Sequence, residues 1–309
     1  MKKYNLTLIG ILFFSLSFSQ SVIEKDDESS VTNDVYKRTH HTEKELVILP
    51  QQRMREADVM WSRKIWREID LRQKMNLPLY YPQEDIATNE TVDRDNLFKA
   101  LYDAVIRGEN SMRAFNAELD DEFRQELTRE ELQQAVEGKE FPVYYKSLNL
   151  YTQGEDSVDV NGNKVIKEMG RKNELRQSDI IKWRLKEQWF FDKQRSMMDV
   201  KIIGIAPLKQ DRNEKLELTG TYTPICWFYF QDARKILKNS QAFNLVKNEA
   251  ENKTFEDIFI KRMFSSTIVK EGNVYNRKVD QYMVGLDALL EAERIKTEIF
   301  NIEHDLWEY

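Results

Sequence analysis

What most limits the fold of this chain is its poverty in turn-forming residues, ten glycines and six prolines in 309 positions. Ordinary usage is about 7% Gly and about 5% Pro. Such scarcity argues against a turn-dense all-β sandwich, a collagenous chain or a Gly-rich low-complexity segment, and helices are expected to dominate. Apolar residues at 41% and aromatics at 11% are enough for a core, because a chain of about 300 residues buries roughly three quarters of its unfolded surface. The 32% charged residues are mixed in sign, as expected of long solvated helix faces.

The amino terminus has the layout of an export signal. Lys2 and Lys3 precede an apolar run through Leu6, Leu8, Ile9, Ile11, Leu12, Phe13 and Phe14, and small Ser17 and Ser19 follow. Cleavage is expected after Ser19, which makes 1–19 a signal peptide. The run from Leu6 to Phe18 is interrupted by Thr7, Gly10, Ser15 and Ser17. It falls short of the roughly 20 apolar residues of a bilayer span, so no membrane crossing is expected. Loss of Lys2 and Lys3 leaves 45 basic against 53 acidic groups, a net charge of about −8. That balance suits a phosphate backbone poorly and sets nucleic acid aside as a partner. The lone Cys226, between Ile225 and Trp227, cannot close an internal disulfide and reads as a buried thiol on a strand. The alternative is an intermolecular bridge or a reactive role.

The residues at 20–45 are polar and read as a mobile tail, leaving 46–309 as one large domain. From Arg53 to Met75 the spacing of Val59, Trp66 and Ile69, joined by Trp61 and Ile65, predicts a helix, with Glu68–Arg72 and Asp70–Lys74 as i,i+4 pairs. Leu79 to Tyr81 is expected as a short strand closed by Pro82. Asp95 is the expected cap of a helix carrying Phe98, Leu101 and Val105 and ending at Gly108. Thr128 and Glu131 form a capping box for a helix stopped by Gly138. Strands are expected at Val143–Tyr151, around an Asn161-Gly162 hairpin turn, at Val200–Leu208 and at Leu216–Phe230. Ser178 is read as opening a helix on Ile181, Leu185 and Trp189. Further helices are expected after Asp232, after Thr254 and over Leu286–Glu303. The expected class is therefore α+β: a helix-rich mixed fold with short antiparallel β elements. A faint echo, in which Trp66 corresponds to Trp189, allows two related lobes at about 46–140 and 141–309.

Catalytic motifs are missing. The sequence has no G-x-S-x-G, no H-E-x-x-H, no P-loop, no G-x-G-x-x-G and no cysteine pair for zinc. His40 and His41 lie in the tail. His304 has Glu303 and Asp305 beside it, but adjacent positions point apart and no second His is at hand, so it reads as a surface or interface residue. No catalytic residue, cofactor or metal site is assigned. A glycosidase-like carboxylate pair needs nearness only in space. Its richest source, Asp120-Asp121-Glu122, reads as a solvated helix start or loop, and Arg234, Lys235 and Lys238 read as a helix face. Of the six tryptophans, at 61, 66, 183, 189, 227 and 307, four are expected on amphipathic helices as core residues rather than as sugar platforms. Leu306, Trp307 and Tyr309 follow the final helix, and such aromatics are predicted to be docked, against their own lobe or against a partner.

Four segments carry a family resemblance: VMWSRKIWREIDLRQKMNLPLYYP at Val59–Pro82, DARKILKN at Asp232–Asn239, FIKRMFSSTIVKEGNVYNR at Phe259–Arg277 and HDLWEY at His304–Tyr309. In this order they resemble the gliding-motility family GldN, called PorN in non-gliding relatives, of the Bacteroidetes type IX secretion system. The resemblance implies a structural subunit rather than an enzyme. It implies a place in the periplasm, peripheral to the outer membrane, and self-association in a ring with an outer-membrane lipoprotein of the GldK or PorK type. It also implies contact with the periplasmic part of GldM or PorM. The rival readings are an exported carboxylate-type hydrolase and a soluble carbohydrate-binding module.

Overall fold

The computed structural model describes residues 54–83, 96–117, 121–137, 139–146, 155–172, 177–212, 218–243 and 253–305, with isolated positions 48, 50, 51 and 175. The expected signal peptide at 1–19, the tail at 20–45, the cap Asp95, the stop Gly138 and residues 147–151 of an expected strand lie outside the described residues.

In chain order the elements are β1 (Val59–Asp70), a one-turn helix α1 (Leu77–Tyr80), α2 (Leu97–Arg107), β2 (Ala114–Asn116), α3 (Arg129–Glu137), β3 (Lys139–Tyr144), β4 (Ile166–Lys172), β5 (Ile180–Asp192), β6 (Met197–Arg212), β7 (Leu218–Pro224), β8 (Cys226–Tyr229), α4 (Phe230–Asn239), α5 (Phe255–Ile260), β9 (Thr267–Glu271) and α6 (Leu286–Asp305). The fold is α+β. Among the described residues, seven strands form one sheet in the order β2-β8-β6-β5-β1-β9, with β7 also paired to β6, and β3 and β4 form a separate ribbon. All the pairings are antiparallel. Residues 46–309 form one compact unit, and the sheet draws strands from both sides of residue 140.

Two expected helices are strands, and these are the main corrections. In place of the first, the described residues from Arg55 on make a short 3-10 turn and then the 12-residue β1, and the stretch after Ser178 is the 13-residue β5. A spacing of four is two strand repeats as well as about one helical turn, so Ile181, Leu185 and Trp189 share a face in either state. In β1 the strand alternation is masked because Arg63 and Arg67 lie on the same face as Ile65 and Ile69. Arg63 donates to Glu271 and Glu298, and Arg67 to Ser266, partners that no local window contains. The expected i,i+4 pairs are replaced accordingly. Glu68 accepts from Arg184, and Asp70 accepts from Arg72 instead of facing Lys74. The segment expected as a strand at Leu79–Tyr81 is largely α1, with Pro78 in its first turn, where a missing N–H costs nothing.

Other elements follow the sequence closely. Helix α2 carries Phe98, Leu101 and Val105 buried on one side and ends at Gly108 with φ 69°, the left-handed geometry that glycine adopts without strain. Its cap is Asn96, whose Oδ1 accepts from the Phe98 and Lys99 amides at 3.0 and 3.2 Å. The capping box of α3 is formed, with Thr128 Oγ1 accepting from the Glu131 amide and Glu131 Oε2 from the Thr128 amide. Gly162 turns at φ 83° beneath Asp159, whose Oδ1 accepts from the Asn161 and Asn163 amides. The described part of the strand expected at Leu216–Phe230 divides at Ile225 into β7 and β8, and Phe230 opens α4. Asp232 therefore sits in the first turn of α4, not at its cap, and accepts from Arg113.

The sheet has two unlike faces. On one, Ile69, Trp183, Leu185, Ile205 and Phe228 pack under α1, α2, α4 and α5, and Ile65, Phe191 and Ile268 pack under Ala292, Ile295 and Ile299 of α6. On the other, Trp66, Phe115, Ala206 and Trp227 form a smaller aromatic cluster, joined by Phe123 and Tyr229. Trp61, Trp66, Trp183 and Trp189 are thus strand residues. Trp66 lies on the face opposite Ile69, whereas the helical reading put the two together.

Candidate functional site

The second face of the sheet is where charge is concentrated. β1 lies between β5 and β9, and the registers pair Trp66 with Lys186 on one side and with Lys270 on the other. A bulge in β9 skips Val269 between the pairs Trp66–Lys270 and Arg67–Ile268, which brings both Val269 and Lys270 to this face. Lys270 Nζ lies 4.0 Å and Lys186 Nζ 5.5 Å from the indole centroid of Trp66. Both lysines are anchored by Asp121. Its Oδ2 accepts from Lys270 Nζ at 3.1 Å, and its backbone carbonyl accepts from Lys186 Nζ. Two positions along β1, Glu68 Oε1 accepts from Arg184 Nη2 at 2.6 Å and from Nε at 3.2 Å, while Oε2 faces Lys182 Nζ at 3.4 Å.

These cations are deep for charged groups: Lys186 is 3%, Lys270 7% and Arg184 8% exposed. Burying an ammonium is unfavourable unless anions and ring faces replace water. Burial accordingly holds the Lys186 ammonium below the ordinary lysine value, with Asp121 opposing the shift. Lys278 is lowered too, by burial first and then by the Arg184 charge. Beside this group opens a cavity of about 470 Å³, whose described walls include Trp66, Asp121, Arg184, Trp227, Lys270 and Lys278, with Pro224 and Val269 among the rest.

Leu306, Trp307 and Tyr309 lie outside the described residues. His304 is exposed at the end of α6, with Nδ1 3.9 Å from Asp305 Oδ1. Among the described residues no three His, Cys, Asp or Glu side chains are grouped to hold a metal, and no helix is long and apolar enough to cross a membrane. Asp121, read as solvated, is instead the anion that anchors two buried lysines. Arg234 is buried and donates to Glu256 Oε1 at 2.7 and 2.9 Å, and Lys238 lies 3.8 Å from Glu256. This basic cluster ties α4 to α5. Cys226 is fully buried in the sheet, and burial pushes its thiol far up, away from the reactive thiolate.

Residues 54–308, which include every element described, match the family model for "Gliding motility associated protein GldN". The chain belongs to the GldN family. No match was found among curated proteins. Two of the four segments that resemble GldN supply cavity walls, Val59–Pro82 through Trp66 and Phe259–Arg277 through Val269, Lys270 and Asn276.

Proposed function

We infer that the chain is a structural subunit of a type IX protein-secretion and gliding-motility machine. In this reading it is exported to the periplasm and held at the outer membrane by a lipoprotein of the GldK or PorK type. The two build a ring that meets the periplasmic part of GldM or PorM. Membership of GldN and the export layout of residues 1–19 support it.

The observation that carries the reading is the outer side of α6. Its inner side is buried through Ala292, Ile295 and Ile299, yet Leu286, Leu289, Leu290 and Phe300 are 69%, 52%, 58% and 65% exposed. Spacings of 3, 4 and 7 keep apolar residues on one stripe of a helix, and this second stripe contributes little to the chain's own core. An exposed apolar patch of that kind marks a protein contact surface. Co-expression with the lipoprotein should give a stable complex of many subunits. A Leu290→Glu/Phe300→Glu variant should fold and melt normally but fail to assemble. A monodisperse protein that ignores the lipoprotein would overturn the reading and return the exported hydrolase and the carbohydrate-binding module to consideration.

A further inference from the structure

We propose that the cavity between Trp66, Arg184, Trp227, Lys270 and Lys278 is a binding site for a carboxylate attached to an apolar or aromatic body. Among the described residues its walls carry three cations, Arg184, Lys270 and Lys278, against one carboxylate, Asp121. Arg184 and Lys270 already have their anions in Glu68 and Asp121. Lys278 is half-buried, and among the described residues it has no carboxylate within ion-pairing distance. Trp66 contributes to the wall, but it is 6% exposed and its Nε1 is buried without accessible surface, so the donor that faces a ligand is the Lys278 ammonium. A desolvated ammonium without a counter-ion is costly. A ligand with one negative charge relieves it.

The shape of the site narrows the ligand. Arg184 directs both Nε and Nη2 at Glu68, so its side-on fork, one of the two edges that pair bidentately with phosphate, is occupied. The single ammonium of Lys278 matches the single negative charge of a carboxylate. The cavity, at about 470 Å³, is in the range of small-molecule sites, about 300–1,000 Å³, and exceeds what a lone ion fills. Trp227, Pro224 and Val269 offer an apolar surface for the rest of the ligand. The carboxylate can belong to a Glu or Asp of a partner protein or to a free organic acid, since the recognition chemistry is shared. The inference stands on the cavity alone: failure of the chain to join a ring would leave it intact, and its own failure would leave the machine role intact.

The test follows the Trp66 indole N–H resonance of the full chain, identified by its loss in Trp66→Phe. The probes are indole-3-acetate, its neutral amide, the peptides acetyl-Trp-Glu-Trp-amide and acetyl-Trp-Gln-Trp-amide, and inorganic phosphate. Saturable shifts are expected with the acid and the Glu peptide and not with their neutral counterparts. Lys278→Gln should weaken binding about tenfold, as loss of a charge-assisted hydrogen bond does, and Lys278→Arg should retain it. Tighter binding of the Glu peptide than of the free acid assigns the site to a partner protein, and the reverse assigns it to a small molecule. The proposal is overturned if neither acid saturates, if the neutral probes bind equally well, if phosphate alone binds, or if Lys278→Gln leaves affinity unchanged.

Discussion

Gly204 and Phe123 compete for one volume: a Cβ on residue 204 would stand 2.8 Å from Phe123 Cε1 and 3.1 Å from the Phe228 backbone oxygen. Because residue 204 has no side chain, the Phe123 ring can lie edge-on to Phe115, Trp227 and Tyr229 at centroid distances of 5.4, 5.9 and 5.9 Å. Phe123 in turn seats the loop that holds Asp121 over Lys186 and Lys270. Sequence, backbone and charge anchoring are therefore linked through a missing methyl group.

Gly204→Ala should displace Phe123 and destabilise the fold by about 1–3 kcal/mol, as overpacking of a tight site does. Urea unfolding measures this. Combined with Phe123→Ala, which removes the clashing ring, the two changes should be non-additive, the double variant being more stable than the sum of the singles predicts. Strict additivity would mean that the contact carries no weight.

Arg234 and Glu256 join α4 to α5 through a pair in which both side chains are about 95% buried. Removing one charge strands the other in a low-dielectric site, a change that costs about 3–5 kcal/mol in comparable pairs. Lys238, 3.8 Å from Glu256, softens the loss, so Arg234→Met is expected near about 3 kcal/mol. Arg234→Met/Glu256→Leu should recover most of it. The urea midpoints of the three proteins decide: a double variant as weak as the single would show that shape, not charge, governs the site.

How much of this was legible in the sequence depends on whether an element's partners were local. The α3 capping box, the Gly108 stop and the Asn161-Gly162 turn are set by residues within four positions of one another, and they form as expected. β1 and β5 failed because their charged residues are satisfied across the sheet, Arg63 by Glu298 and Glu68 by Arg184, so each segment alone looks like an amphipathic helix. The cavity was hidden for the same reason. Trp66, Asp121, Lys186, Lys270 and Lys278 are brought together only by strand order and by a bulge, and the cluster at Asp120-Asp121-Glu122 reads as solvated until its lysines are in place.

The acid limb of stability should report Asp192. Its Oδ1 accepts from the Gln194 amide at 2.9 Å, and its Oδ2 from Arg195 Nε at 2.6 Å. The hydrogen bond from Arg195 is the chief reason that the carboxyl titrates below its ordinary value, with the amide bonds adding to it. A carboxylate depressed in the folded state stabilises above the unfolded pKa of about 3.9, and that contribution is lost as pH falls through the lower folded value. Asp192→Asn should therefore melt below the wild type at pH 7, and the gap should narrow as pH is taken below about 4. A gap that stays constant into acid would remove Asp192 from the account.

Trp66 offers the sharpest separation of stability from assembly. The ring is 6% exposed and lies between two buried lysines, with Lys270 Nζ 4.0 Å from its centroid. Truncation removes a large apolar surface and a cation–π partner, so Trp66→Ala should cost about 3–5 kcal/mol. Trp66→Phe keeps a ring face, and since Nε1 has no partner among the described residues, no hydrogen bond is lost there. Its cost should be smaller, about 1–2 kcal/mol. Thermal melts rank the three proteins. If the alanine variant melts like the wild type yet no longer assembles with the lipoprotein, Trp66 is an interface anchor and its burial against Lys270 contributes nothing to folding.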